Sequence, residues 1–381
     1  MNYQVFCAPV SGKYFPGQIS MFLALENAKN DSPLQGSEVN MGLGSSGGNL
    51  AITLFNISGG NIDKIMEYSH SINSNFFARK WYPKPLTYFI PNSLGFMYGG
   101  SVYKKGIDCY SIYKDHSNEN LFEQWCGTYN IDRSIPQFFC NKSREESDIN
   151  REFYSQNSEN FGNSSFIYCN NDRKLFSKVI SASASIPVLT QPEIIMGEKH
   201  SDGGVMYASP ISVFYKEISN IIERKSVENT KTNTYFDIED SDENSSFVIS
   251  EKNFGEKKHL RLFYVMGCNS EINDISENVL ENCLNSWINS SSVKDELFAF
   301  TLLQLLSPEG TDSHKFLYAN ISSLTSILTF FERYDHYILY IYPHEKSNLC
   351  LNNFSGQDVI HNIIRLKNNF SCKIIHSLKL K

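Results

Sequence analysis

The sequence contains no apolar run of the roughly 18 residues that a membrane-spanning helix needs. It has no positive excess either. The formal net charge is -7, so the basic footprint of a nucleic-acid-binding protein is missing and no nucleic-acid partner is expected. Nine cysteines are scattered from Cys7 to Cys372 without a CxxC or a close pair, which reads as reduced, mostly buried thiols in a cytosolic compartment. Nine histidines include no HExxH and no Cys/His cluster, so neither a metal nor another cofactor is expected. The opening "MNYQVFCAPVSG" lacks the basic and long apolar segments of a signal peptide. The expectation is a cytoplasmic protein whose contact with membranes is at most peripheral.

What is present is enough apolar residue for a sizeable core. The chain has 381 residues, 41% of them hydrophobic, which fits one large domain or two smaller ones. "YQVFCAPV" reads as a buried strand and "SGKYFPGQ" as a loop punctuated by Gly and Pro. "QISMFLALENAKN" has helical periodicity, "EVNMGLG" is a second strand, and "NLAITLFNIS" a second helix closed by "SGGN". This order is a βαβ unit, which points to a parallel sheet and the α/β class. Further along, "LRLFYVMG" and "HYILYIYP" read as core strands. "DELFAFTLLQLL", "ISSLTSILTFFERY" and "QDVIHNIIRLKNN" read as helices. The polar stretches at about 143–165 and 226–253 read as exposed insertions rather than as linkers to another fold.

One turn carries chemistry. Gly44-Ser45-Ser46-Gly47-Gly48 fits G-x-S-x-G, lies after a strand and opens a helix. Such a turn pushes Ser46 into a strained backbone pose, and its neighbours two residues away must be small because strand and helix pass close. The hydroxyl then projects beside a helix N-terminus, where N–H groups and the helix dipole favour negative charge. A serine nucleophile also needs a base. Asp202-Gly203-Gly204 offers a carboxylate at a tight turn; on its own the same tripeptide reads first as a plain β-turn.

Taken together, the serine turn, "SKVISASASIPVL" (Ser177 to Leu189), Asp202-Gly203-Gly204 and the following Ser209-Pro210 step resemble the patatin-like phospholipase family. The resemblance covers about residues 3–60 and 175–270. It implies a three-layer α/β/α fold with a central, mostly parallel sheet, here one domain spanning 1–381. It implies a Ser–Asp dyad of Ser46 and Asp202, with Gly44, Gly48, Gly203 and Gly204 as motif glycines. It also implies an oxyanion site made of backbone N–H groups from Gly12, Lys13, Tyr14 and Gly17, together with Gly47. The substrate it implies is a phospholipid or another acyl-ester lipid. At one place the chain departs from the family pattern, which has G-G-G-x-[RK]-G after the first strand. Gly12-Lys13-Tyr14-Phe15-Pro16-Gly17 keeps only the first and last glycine, and Pro16 has no N–H to donate.

Two other readings stand beside this one. An α/β-hydrolase triad would take its base from His200, His336 or His344. A patatin-like scaffold without activity would bind a lipid or protein partner instead.

Overall fold

Val5 to Ala8 are buried on both faces of the strand that opens the chain, as expected of a strand inside a covered sheet. The computed structural model describes residues 2–30, 38–70, 121–143, 146, 166–186, 192–206, 259–265, 314–320, 337–343, 345, 349, 355–367 and 370–377. The polar stretch 226–253, nearly all of 143–165, the helical segments 295–306 and 321–334, and the Ser209-Pro210 step lie outside the described residues.

The chain begins β1 (Asn2–Ala8), α1 (Phe15–Lys29), β2 (Met41–Ser45), α2 (Gly47–Ser58) and α3 (Ile62–Ser69). Three more strands follow, β3 (Glu123–Asn130), β4 (Ile135–Cys140) and β5 (Phe166–Tyr168). Then come α4 (Arg173–Ser183), β6 (Glu193–Ile195) and β7 (Glu198–Asp202). The rest is β8 (His259–Val265), β9 (His314–Asn320), β10 (Tyr337–Pro343), α5 (Gly356–Leu366) and β11 (Phe370–Ser377).

The strands form one sheet in the order β5-β4-β3-β2-β1-β8-β10-β11-β9. Its centre, β3-β2-β1-β8-β10, is parallel throughout. Antiparallel pairings flank it: β4 and β7 on β3, β11 on β10, and β9 on β11. The sheet is therefore mixed around a parallel core, within the expected α/β class.

Helix signals explain the crossovers. Pro16 lies in the first turn of α1, where a missing N–H costs nothing. The helix consequently starts at Phe15, earlier than the apolar periodicity from Gln18 suggests. Asn61 caps α3 by accepting from Asp63 and Lys64 N–H at 2.9 and 3.1 Å. α5 carries a reciprocal capping box between Ser355 and Asp358. Ser20 of α1 donates to the Ile363 carbonyl of α5 at 2.7 Å, tying the two ends of the chain together.

Phe6 of β1 stacks on Phe22 of α1 with ring centroids 4.8 Å apart, and Phe55 of α2 leans on both at 5.3 and 5.4 Å. Ala8, Cys126, Phe139 and Ile167 from the same sheet face, with Phe176, Val179 and Ile180 of α4, extend this core. On the opposite face Val5, Cys7, Met41, Leu43, Trp125 and Phe138 are buried as well, so both sides of the sheet are covered, as a three-layer architecture requires.

α2 meets β3 through polar side chains. Asn49, Thr53 and Asn56 are spaced to share one helix face. Gln124 donates to Asn49 Oδ1 at 2.9 Å and to Thr53 Oγ1 at 2.7 Å. Asn56 donates to Gln124 Oε1 at 3.3 Å and accepts from Phe122 N–H at 3.1 Å. These bonds offset most of the cost of burying the amides. Among the described residues, no helix is long and apolar enough to cross a membrane.

The aromatic triad should dominate stability. Phe22→Ala is expected to lower the unfolding free energy by about 3–5 kcal/mol, read as a drop in the denaturant midpoint with an unchanged slope.

Candidate active site

β3 has two edges, and β4 occupies one of them from Trp125 to Asn130. The other edge is shared. β2 pairs with it in parallel and ends at Ser45, opposite Gly127. β7 pairs with it antiparallel and ends at Asp202, opposite Thr128. The C-terminal ends of the two strands therefore meet head-on, so that Ser46, just past the end of β2, faces Asp202, the last residue of β7.

After Ser45 the chain turns sharply into α2. Ser46 takes φ 54° and ψ -131°, a pose that costs a non-glycine residue about 1–3 kcal/mol. The turn is tight enough that a Cβ at Gly48 would lie 2.1 Å from the Ala8 carbonyl oxygen, so no side chain fits there. Ser46 occupies the N-cap of α2, where a serine hydroxyl ordinarily accepts from the helix. It makes no such cap. Instead it donates to Asp202 Oδ2 at 2.6 Å.

Asp202 is positioned from several sides. The β6–β7 hairpin turns at Met196-Gly197, both with positive φ (51° and 86°). Asp202-Gly203-Gly204 is therefore not the hairpin turn; it ends β7 and opens a 3-10 turn (Gly203–Met206). The Gly204 N–H donates to Asp202 Oδ1 at 2.7 Å. The Asp202 N–H donates to the Ser185 carbonyl at 2.9 Å. A Cβ at Gly203 would lie 2.4 Å from the Gly127 carbonyl oxygen, which is why glycine follows the aspartate.

Ser46 and Asp202 are 3% and 2% exposed. Burial pushes the Asp202 carboxyl up from 3.8 to about 7, opposed by the hydrogen bonds from Ser46 and the Gly204 N–H. A carboxylate with an ordinary pKa is a poor proton acceptor at neutral pH, and this one is tuned towards it.

Of the expected oxyanion donors, the structure gathers some and disperses others. Gly12–Tyr14 form a 3-10 turn with Gly12 at φ 50°. The turn lies against the elbow: a Cβ at Gly47 would be 2.8 Å from Gly12 N. Gly47 opens α2, so its N–H has no acceptor within the helix. The Tyr14 N–H is spent on the Ser11 carbonyl at 2.9 Å. Gly17 lies within the first turn of α1 and not in the loop, because Pro16 starts the helix early. The remaining motif glycines, Gly44 and Gly204, pack against Asn49 and Val10.

Three polar residues around the site carried no assigned role in the sequence reading. Ser11 donates to Gln18 Oε1 at 2.7 Å, and Gln18 donates to the Pro9 carbonyl at 2.9 Å, which locks the loop after β1. Ser183 at the end of α4 accepts from the Ser46 N–H at 3.0 Å and donates to the Gly127 carbonyl at 2.6 Å. Only the run of small residues in "SASAS" hinted that this segment must pass close to something.

His200 is turned to other partners. Its Nδ1 is 3.1 Å from Thr128 Oγ1, its ring meets Phe139 edge-on, and burial lowers its pKa to about 4. His336 and His344 lie outside the described residues. Among the described residues no group of three His, Cys, Asp or Glu could hold a metal ion.

A strained serine between strand and helix, bonded to a buried carboxylate on an α/β sheet, has the geometry of a serine hydrolase. Residues 34–215 match the family described as patatin-like phospholipase, and over that range the chain is similar to it. The matched range includes both Ser46 and Asp202 and begins after the Gly12–Gly17 loop. No match was found among curated proteins.

The raised Asp202 pKa links the site to stability. Between about 3.8 and 7 the folded chain keeps a proton that the unfolded chain has released. Stability from this group therefore falls as pH rises through that window, and the full cost is carried above it. Asp202→Asn cannot ionise. Its melting temperature is expected to exceed that of the unsubstituted chain at about pH 8 and to converge with it towards about pH 4, as measured by thermal denaturation across pH.

Proposed function

We propose that the protein is a phospholipase A-like lipid acyl-ester hydrolase that works through a Ser46–Asp202 dyad and an acyl-enzyme. The observation that carries this reading is the 2.6 Å hydrogen bond from Ser46 Oγ to Asp202 Oδ2 in a buried site. In the first half-reaction Ser46 Oγ attacks the acyl carbonyl while its proton passes to Asp202 Oδ2. The tetrahedral oxyanion faces the turn where Gly12, Lys13 and Gly47 present backbone N–H groups beside the N-terminus of α2. Collapse breaks the ester bond, and the departing alcohol takes the proton from Asp202. In the second half a water gives a proton to Asp202 and attacks the acyl carbon. Collapse then returns the proton to Ser46 Oγ and releases the fatty acid.

The tuned carboxylate supports a one-base mechanism. A base with an ordinary pKa of about 3.9 would be badly matched to a serine hydroxyl; one near 7 is better matched. The buried thiols of Cys126, Cys140 and Cys169 fit a reducing, cytoplasmic setting. Lipid contact on this reading is peripheral.

A fluorophosphonate probe tests the proposal directly. Covalent label is expected on Ser46 and absent from Ser46→Ala. Asp202→Asn is expected to slow both labelling and ester turnover by roughly 10²- to 10⁴-fold. The labelling rate should rise with pH through about 7, because only the ionised Asp202 accepts the proton. Turnover that survives Asp202→Asn but is lost in His200→Ala would instead establish the triad. A folded chain that takes no label would establish the inactive scaffold.

A further inference from the structure

In a parallel ladder, the β2–β3 register would place Ser46 opposite Thr128, and the next hydrogen bond would run from the Ser46 N–H to the Gly127 carbonyl. That bond is never made. Thr128 pairs with Asp202 of β7, and Ser46 turns away into α2. Two buried backbone groups are left facing each other across a gap at the point where the nucleophile sits.

The Ser183 hydroxyl fills this gap. It accepts from the Ser46 N–H at 3.0 Å and donates to the Gly127 carbonyl at 2.6 Å. A hydroxyl suits the place because it donates and accepts through one atom. Ser183 is fully buried, which favours an exact pairing over exchange with solvent. Two residues on, the Ser185 carbonyl accepts the Asp202 N–H at 2.9 Å. One short segment at the end of α4 thus holds both halves of the pair: the Ser46 backbone through a side chain, and the Asp202 backbone through a carbonyl.

We infer that Ser183 is a positioning residue for the Ser46–Asp202 pair, its hydroxyl replacing the lost rung between β2 and β3 and so fixing the turn that aims Ser46 at Asp202. This rests on the dyad reading above. Ser183 touches neither substrate nor reacting atom; it acts through the Ser46 backbone. Without the hydroxyl, the Ser46 N–H and Gly127 carbonyl are buried unpaired, and the strained turn loses a restraint. The bond from Ser46 to Asp202 then loosens. That bond lowers the Asp202 pKa, so its loss moves the acid limb of activity to higher pH. The other groups facing Asp202 do not mask the effect. Cys126 on β3 is a thiol whose pKa burial raises, and His200 on β7 has its pKa lowered by burial, so both are uncharged at neutral pH.

The experiment compares fluorophosphonate labelling and ester turnover across pH for Ser183→Ala, Ser183→Cys and Ser183→Thr. Ser177→Ala is the control, since the Ser177 hydroxyl donates to the Arg173 carbonyl of its own helix at 2.7 Å and, among the described residues, shows no bond to the site. Ser183→Ala is expected to reduce kcat roughly tenfold to a hundredfold with KM nearly unchanged, and to shift the acid limb upward. Ser183→Cys keeps the volume but offers only a weak donor and acceptor. It is expected to show the same two changes, and it carries the test if Ser183→Ala does not fold. Ser183→Thr restores the hydroxyl and is expected to recover most of the rate, while Ser177→Ala stays at the unsubstituted value. Unchanged rates and acid limb in folded Ser183→Ala or Ser183→Cys overturn the inference, as does a rate loss with the acid limb unmoved. Loss of labelling in Ser46→Ala within the same series keeps the dyad reading standing in either case; label that persists there removes that reading itself.

Discussion

One edge of a β-strand can serve two partners only if the first stops where the second begins. β3 imposes this constraint, and the site follows from it. β2 leaves the edge at Gly127 and β7 arrives at Thr128 from the opposite direction. Ser46 and Asp202, 156 residues apart in sequence, are thereby delivered to the same point by ladder hydrogen bonds, with no long flexible side chain reaching across. A serine and an aspartate have short side chains, so only a backbone meeting this close lets them bond at 2.6 Å. The position of the pair is as rigid as the sheet beneath it.

That rigidity is obtained against several local costs. Ser46 holds a positive φ and gives up the capping bond its position would normally allow. Asp202 is a carboxylate with almost no water around it. Ser45 Oγ and Asn49 Nδ2, on either side of the elbow, are buried without a hydrogen-bond partner among the described residues. Such costs are sustained only where the surroundings over-determine the structure. The Phe6–Phe22–Phe55 stack holds β1, α1 and α2 together on one side of the elbow. The Gln124 amide network clamps α2 to β3 on the other. The strained turn at Ser46 is thus held by well-packed elements on both sides.

The glycine elbow was legible in the sequence because its requirement is steric and local. Small residues two positions either side of Ser46 reflect a backbone contact so close that composition alone betrays it. β1, β8, β10 and α5 were legible for a similar reason, since long apolar runs or clean caps carry their own periodicity. β3 was not. It is the strand that organises the site, yet it reads "EQWCGTYN", with Gln124, Thr128 and Asn130 buried. Its inward polar residues answer polar residues of α2 and β4, a pairing visible only once the elements are assembled. β5 and β6 have three residues each, too few for a period to show. Ser183 lies in the small-residue run "SASAS", but its hydroxyl bonds two backbone groups distant in sequence, and nothing in a linear pattern encodes that.

The loop after β1 shows how a departure from a glycine-rich pattern can still leave an ordered turn. Consecutive glycines let a backbone approach and turn, but they also leave it flexible. Here Lys13 and Tyr14 stand where glycines are usual, and the turn takes the tighter form of a 3-10 helix that only Gly12 enters with positive φ. Ser11 and Gln18, both fully buried, bond each other and the Pro9 carbonyl, so the loop is fixed by side chains from behind. Pro16 then commits the chain to α1 at once. The exchange has a consequence for the donors. The Tyr14 N–H closes the turn and Gly17 joins the helix, while Gly12 lies against Gly47 at the head of α2. The anion-favouring end of that helix is the one element of the arrangement that does not depend on the loop's sequence.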